Sequence, residues 1–94
     1  MDLVPLEIAN KLKEKGFACE YPFTIQQVKL WLRTEHNIHV IASPHYFAGT
    51  LLCWDVDIIS WHDSIKSARG VCGRYKLCNQ ANLAGIEYVV DRLN

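Results

Sequence analysis

Apolar and polar residues follow two different periods along the chain, and each change of period marks an element. VPLEIANKLKEKGF has the helical period: Ile8, Ala9 and Leu12 share a face, Pro5 suits a first turn and Gly16 suits the end. FTIQQVKLWLRTEHN has it again. There Thr24 and Gln27 match the capping-box spacing, Phe23 and Val28 the hydrophobic staple, and Val28, Trp31 and Leu32 form the stripe. Asn37 suits a left-handed cap, and the β-branched run IHVIAS that follows predicts a strand.

LLCWDVDIISW changes to a period of two, with Leu52, Trp54, Val56 and Ile58 on one face and Cys53, Asp55 and Asp57 on the other. HDSIKSARG breaks the pattern and reads either as a wide loop or as a short helix from Asp63. GVCGRYKLC predicts a third strand through Val71, Tyr75 and Leu77, with Gly70 and Gly73 blurring its start. Asn79 then caps a final helix striped by Leu83, Ile86, Val90 and Leu93, in which Gly85 marks a close contact. The expected fold is one α+β domain over residues 1–94: two N-terminal helices, a three-stranded antiparallel sheet and a C-terminal helix packed on one sheet face.

Composition narrows the function classes. Half the residues are hydrophobic and 21% are charged, which suits a folded domain and excludes a disordered chain. Ten basic residues balance ten acidic ones, so no overall field draws the chain to nucleic acid or to an anionic membrane, and any binding patch must be local. MDLVPLEIAN does not read as a signal peptide, and no apolar run approaches membrane-spanning length. The expectation is a cytoplasmic chain with Cys19, Cys53, Cys72 and Cys78 as reduced thiols.

The segments WLRTEHNIHV and ANLAGI carry a family resemblance. Together with PLEIANKLKEKGF and the Thr24-capped TIQQVKLWLRTEHNIHV, the Ala81–Ile86 pattern resembles a family of small α+β proteins from Bacteroides-type bacteria and their phages. The likeness covers most of the chain, and every motif in it is structural. It implies an α+β fold and carries no activity.

Several clusters invite chemistry. HNIHVIASPH places His36, His39 and His45 within ten residues. On a strand, however, His39 and His45 lie about 20 Å apart at roughly 3.3 Å per residue, so one metal ion does not bridge them. His36 also fits as a cation at a helix C-terminus. Cys72 and Cys78 match no zinc or redox spacing, and a structural thiol is the expected role. A nucleophilic cysteine assembled in space with His36 or His62 is an alternative. Asp55, Asp57, His62 and Asp63 beside Trp54 and Trp61 suggest a carboxylate pair, yet the ordinary reading is the outward polar face of an amphipathic strand. No catalytic, cofactor or metal residue is therefore expected.

Two binding readings remain. Helix, three strands, helix is the order of double-stranded RNA-binding domains, and Lys66, Arg69, Arg74 and Lys76 cluster around Tyr75 as a patch for phosphates. The favoured expectation is a non-enzymatic interaction module that binds an unidentified protein or a second copy of itself through exposed aromatics. The candidates are Tyr21, Phe23, Tyr46, Phe47 and Trp61, which lie at element ends or in loops.

Overall fold

Pro5 and Gly16 bracket the first helix. In the computed structural model, which describes residues 3–71 and 73–93, α1 spans Leu6–Glu14 and ends in a tight cap. Gly16 takes φ 98°, its N–H bonds the Lys13 carbonyl at 3.1 Å and the Phe17 N–H bonds that of Leu12 at 3.0 Å. This paired bonding needs a left-handed residue, which is why glycine stands there. Phe17 is thereby folded back into the core beside Leu12.

α2 (Ile25–His36) has the expected capping box. The Gln27 N–H bonds Thr24 Oγ1 at 3.2 Å and the Thr24 N–H bonds Gln27 Oε1 at 2.7 Å, satisfying two helix-end donors at once. Ile25, Val28 and Leu32 are buried, and Trp31 packs its ring edge on Phe17 at 5.1 Å. Asn37 ends the helix at φ 56°, ψ 40°, so the chain enters β1 (Ile38–Phe47) without a linker.

β1 pairs antiparallel with β2 (Thr50–Ser60), with Val40 opposite Ile58 and Ala42 opposite Val56. Ala48 and Gly49 both take positive φ in the two-residue turn, whose twist matches that of the strands. Ile38, Val40, Val56 and Ile58 point inward and are buried under α3 (Cys78–Arg92). Gly85 is what lets α3 come so close. A Cβ there would lie 2.6 Å from Val56 Cγ2 and 2.7 Å from Val40 Cγ1, inside van der Waals contact.

The chain is thus α+β, with three helices and one antiparallel sheet among the described residues, and α3 packs on the sheet. α1 is pinned to α3 by Lys11, whose Nζ lies 3.0 Å from both Glu87 Oε2 and Asp91 Oδ1. These two carboxylates hold the lysine pKa above its usual value. No described helix is long and apolar enough to cross a membrane.

The expected third strand is not one. The sheet has two strands among the described residues. The chain does return beside β2, bridging at Ala68–Ile58 and Tyr75–Trp54, and the Val71 N–H bonds the Val56 carbonyl at 3.0 Å. The two bridges are four residues apart on β2 but seven apart on the returning segment. Gly70 and Gly73, both at positive φ, take up the surplus in bends, and a regular ladder tolerates no such surplus. HDSIKSARG is a loop and not a helix. Ile65 is buried, and Ser60 closes the loop by receiving the His62 N–H and donating its hydroxyl to the Ile65 carbonyl at 2.7 Å. α3 also begins one residue before Asn79, with Leu77 in the cap position and its N–H bonded to Gln80 Oε1.

Candidate interaction surface

Length decides which part of the hairpin stays uncovered. Strands of ten and eleven residues extend about 33 Å at roughly 3.3 Å per residue. A fifteen-residue α3 reaches only about 22 Å at 1.5 Å per residue, even laid parallel. One end of the hairpin therefore projects past its helix. Burial follows this geometry, since residues 44–52 are exposed on both strands apart from the inner flank leading to Trp54.

The projecting end is apolar. Tyr46 is 63% exposed, Phe47 72%, Leu51 42% and Leu52 62%. No Asp, Glu, Lys or Arg occurs between Glu35 and Asp55, so nothing charged interrupts the patch along either strand. Leu52 was expected on the inner face with Trp54, and it is not there. The register slips between His45 and Tyr46, leaving Leu52 as the extra residue of a bulge, which turns its side chain outward beyond the reach of α3.

The five predicted aromatics do not form one surface. Tyr46 and Phe47 share the tip. Trp61 is exposed at the opposite end, where β2 has finished, and packs on His39 with ring centroids 5.9 Å apart. Phe23 is only 2% exposed and belongs to the core, its ring edge-on to Phe17 at 4.7 Å. It is the staple residue before α2, and that role buries it. Tyr21 is exposed but stacked edge-on against Phe23 at 5.8 Å, far from the hairpin in sequence. Leu51 and Leu52 were missed because a strand's alternating pattern does not show where its supporting helix stops.

A partner strand is poorly served by the β1 edge. The Trp61 N–H bonds the Asn37 carbonyl at 3.0 Å, so in the antiparallel register the even-numbered residues of β1 turn their N–H and C=O groups away from β2. Of these, Val40 is buried and Pro44 has no N–H, a common way of blunting an edge. Contact through side chains at the tip is what this hairpin offers.

The titratable groups are scattered. His36 packs on Trp31 at 4.7 Å and on His62 at 5.6 Å. Burial first, and the neighbouring His62 second, hold its pKa below 6.5. His39 lies on Trp61, and His45 Nε2 sits 2.7 Å from Asp55 Oδ2. No group of three metal-ligating side chains occurs among the described residues. Asp55 and Asp57 are less solvent-facing than the strand pattern suggests. The returning segment shelters them: the Gly70 N–H bonds Asp57 Oδ1 at 2.8 Å, and Asp55 Oδ1 is buried without a partner among the described residues. Cys19, Cys53 and Cys78 are free thiols, and Cys72 lies outside the described residues.

Lys66, Arg69, Arg74 and Lys76 are all exposed along the loop and the returning segment. They do not form one patch: Arg69 lies beside Ile58 and Ile59 of β2, whereas Arg74 and Lys76 lie beside Ile8 and Leu83. No family model, curated protein or solved structure matches the chain.

Proposed function

We propose that the protein is a small non-enzymatic interaction module that binds a partner protein, or a second copy of itself, through the hairpin tip. One observation carries this reading. Tyr46, Phe47, Leu51 and Leu52 form an uncharged apolar end that no part of the described chain covers. Exposed apolar patches of this kind cost solubility, and they mark contact sites on otherwise polar surfaces. Aromatic residues at the centre of such a patch supply most of the binding energy in protein contacts.

The test places a photo-crosslinking residue at Phe47 and, in a second variant, at Leu30, an equally apolar exposed residue on α2. Adducts are then analysed in the native host. Adducts at position 47 that are absent at position 30 support the tip as the contact, and their mass tells a second copy from another protein. Equal adducts at both positions, or none at 47, contradict it.

A second reading rests on the exposed Lys66, Arg69, Arg74 and Lys76 alone, since the sheet has two strands among the described residues and not the three of a double-stranded RNA-binding domain. In this reading these side chains contact the phosphates of a double-stranded nucleic acid. Binding would then weaken steeply with salt, and a salt-independent absence of any gel shift with duplex RNA or DNA removes it.

A further inference from the structure

At the other end of the hairpin, α2 and the start of β1 enclose a cleft of about 280 Å³ lined by Gln26, Lys29, Arg33, His39, Val40 and Ile41. Gln26, Lys29 and Arg33 are spaced three and four residues apart, so they form one stripe of α2 facing the strand. Lys29 is partly buried there. Its Nζ lies 3.2 Å from Oδ1 of the buried Asn82, a neutral acceptor that is itself fixed in α3. No described carboxylate pairs with either Lys29 or Arg33.

Two cations therefore stand on one cleft wall with no described carboxylate opposite them. Burial pushes the Lys29 pKa down, opposed by the nearby Cys78 and reinforced by Arg33, so the fold bears a cost for keeping this ammonium where it is. Lys29 Nζ keeps one neutral acceptor in Asn82, and Arg33 on the same cleft wall is exposed.

We propose that this cleft binds a phosphate group, either as inorganic phosphate or as a small phosphate monoester, with Lys29 and Arg33 as its charge partners and Gln26 as a neutral donor. A phosphate monoester carries a charge of about −1.5 to −2 at pH 7, which matches the two cations, and a guanidinium offers the paired donors that phosphate oxygens accept. The cleft volume exceeds that of a bare ion and leaves room for a small organic group beside the exposed Ile41. The site is separate from the hairpin tip, at least five residues further along β1, or about 16 Å at 3.3 Å per residue.

The experiment titrates the full chain with inorganic phosphate, and separately with glycerol phosphate, at fixed ionic strength, followed by amide chemical shifts. Saturable shifts at residues 26–33 and 39–41 are expected, and they should weaken by roughly tenfold or more in each of Lys29→Met and Arg33→Ala, the loss of one charge-assisted contact. Tighter binding of glycerol phosphate assigns the site to a monoester, and equal binding to the free ion. Non-saturating shifts, shifts reproduced by sodium chloride, or unchanged affinity in both variants would overturn the proposal.

Discussion

The two ends of one hairpin obey different rules. At the supported end, Ile38 and Val40 face Val56 and Ile58 under α3, with Gly85 in close contact. There every inward side chain is dictated by packing. At the projecting end, Tyr46, Phe47, Leu51 and Leu52 are apolar like the core residues yet stay exposed. Hydrophobicity alone therefore does not separate the structural residues of this strand pair from those free to make contacts. The length of the covering helix does.

The sharpest contrast is between two phenylalanines that look alike in the sequence. Phe23→Ala should cost about 3–5 kcal/mol, as expected for a fully buried aromatic, whereas Phe47→Ala should stay within about 0.5 kcal/mol, as expected of an exposed site. Urea unfolding of both variants checks this. Comparable losses would erase the distinction between the two ends.

Gly85→Ala probes the supported end from the helix side. Alanine gains about 1 kcal/mol of helix propensity over glycine, but its methyl enters the space of Val40 and Val56, and overpacking a core costs about 1–3 kcal/mol. The stiff β-branched valines have little room to yield. A net loss of about 1–2 kcal/mol is expected in thermal unfolding, and a gain would mean that the helix and sheet are less tightly seated than described.

A smaller effect should appear with pH. His36 sits at the supported end with its pKa held below 6.5 by burial and by His62, opposed by Glu35. Just below pH 6.5 the unfolded chain therefore binds more protons than the folded one. This contribution to stability is full above pH 6.5 and is lost as the pH falls through the lowered value. Melting temperatures between pH 7 and pH 5.5 should decline less steeply in His36→Gln than in the wild type. Parallel slopes would show that His36 titrates normally in the fold.

Much of the fold was legible because local signals agreed with one another. Thr24 and Gln27 announced α2, Asn37 its end, and Gly85 a close contact that the geometry bears out. The third strand was misread because Val71 and Tyr75 have the right residue types, while Gly70 and Gly73 divert the backbone between them. Phe23 looks like a surface aromatic from its loop position, which gives no sign of burial, although its staple role points inward. Leu52 was placed inside because its parity matches Trp54, and a one-residue bulge reversed it. Similarly, the cleft beside Lys29 was invisible, since it depends on how α2 lies against β1 and on an asparagine far away in the sequence.

The most direct test of the central claim is the double variant Phe47→Ser and Leu52→Ser, with its unfolding free energy and its contact-dependent crosslinking measured side by side. If the tip is a contact surface and not part of the core, stability should remain within about 1 kcal/mol of the wild type, the sum of two exposed substitutions, while crosslinking from a probe at Tyr46 disappears. A variant that loses several kcal/mol, or one that keeps its crosslinks, would contradict the account.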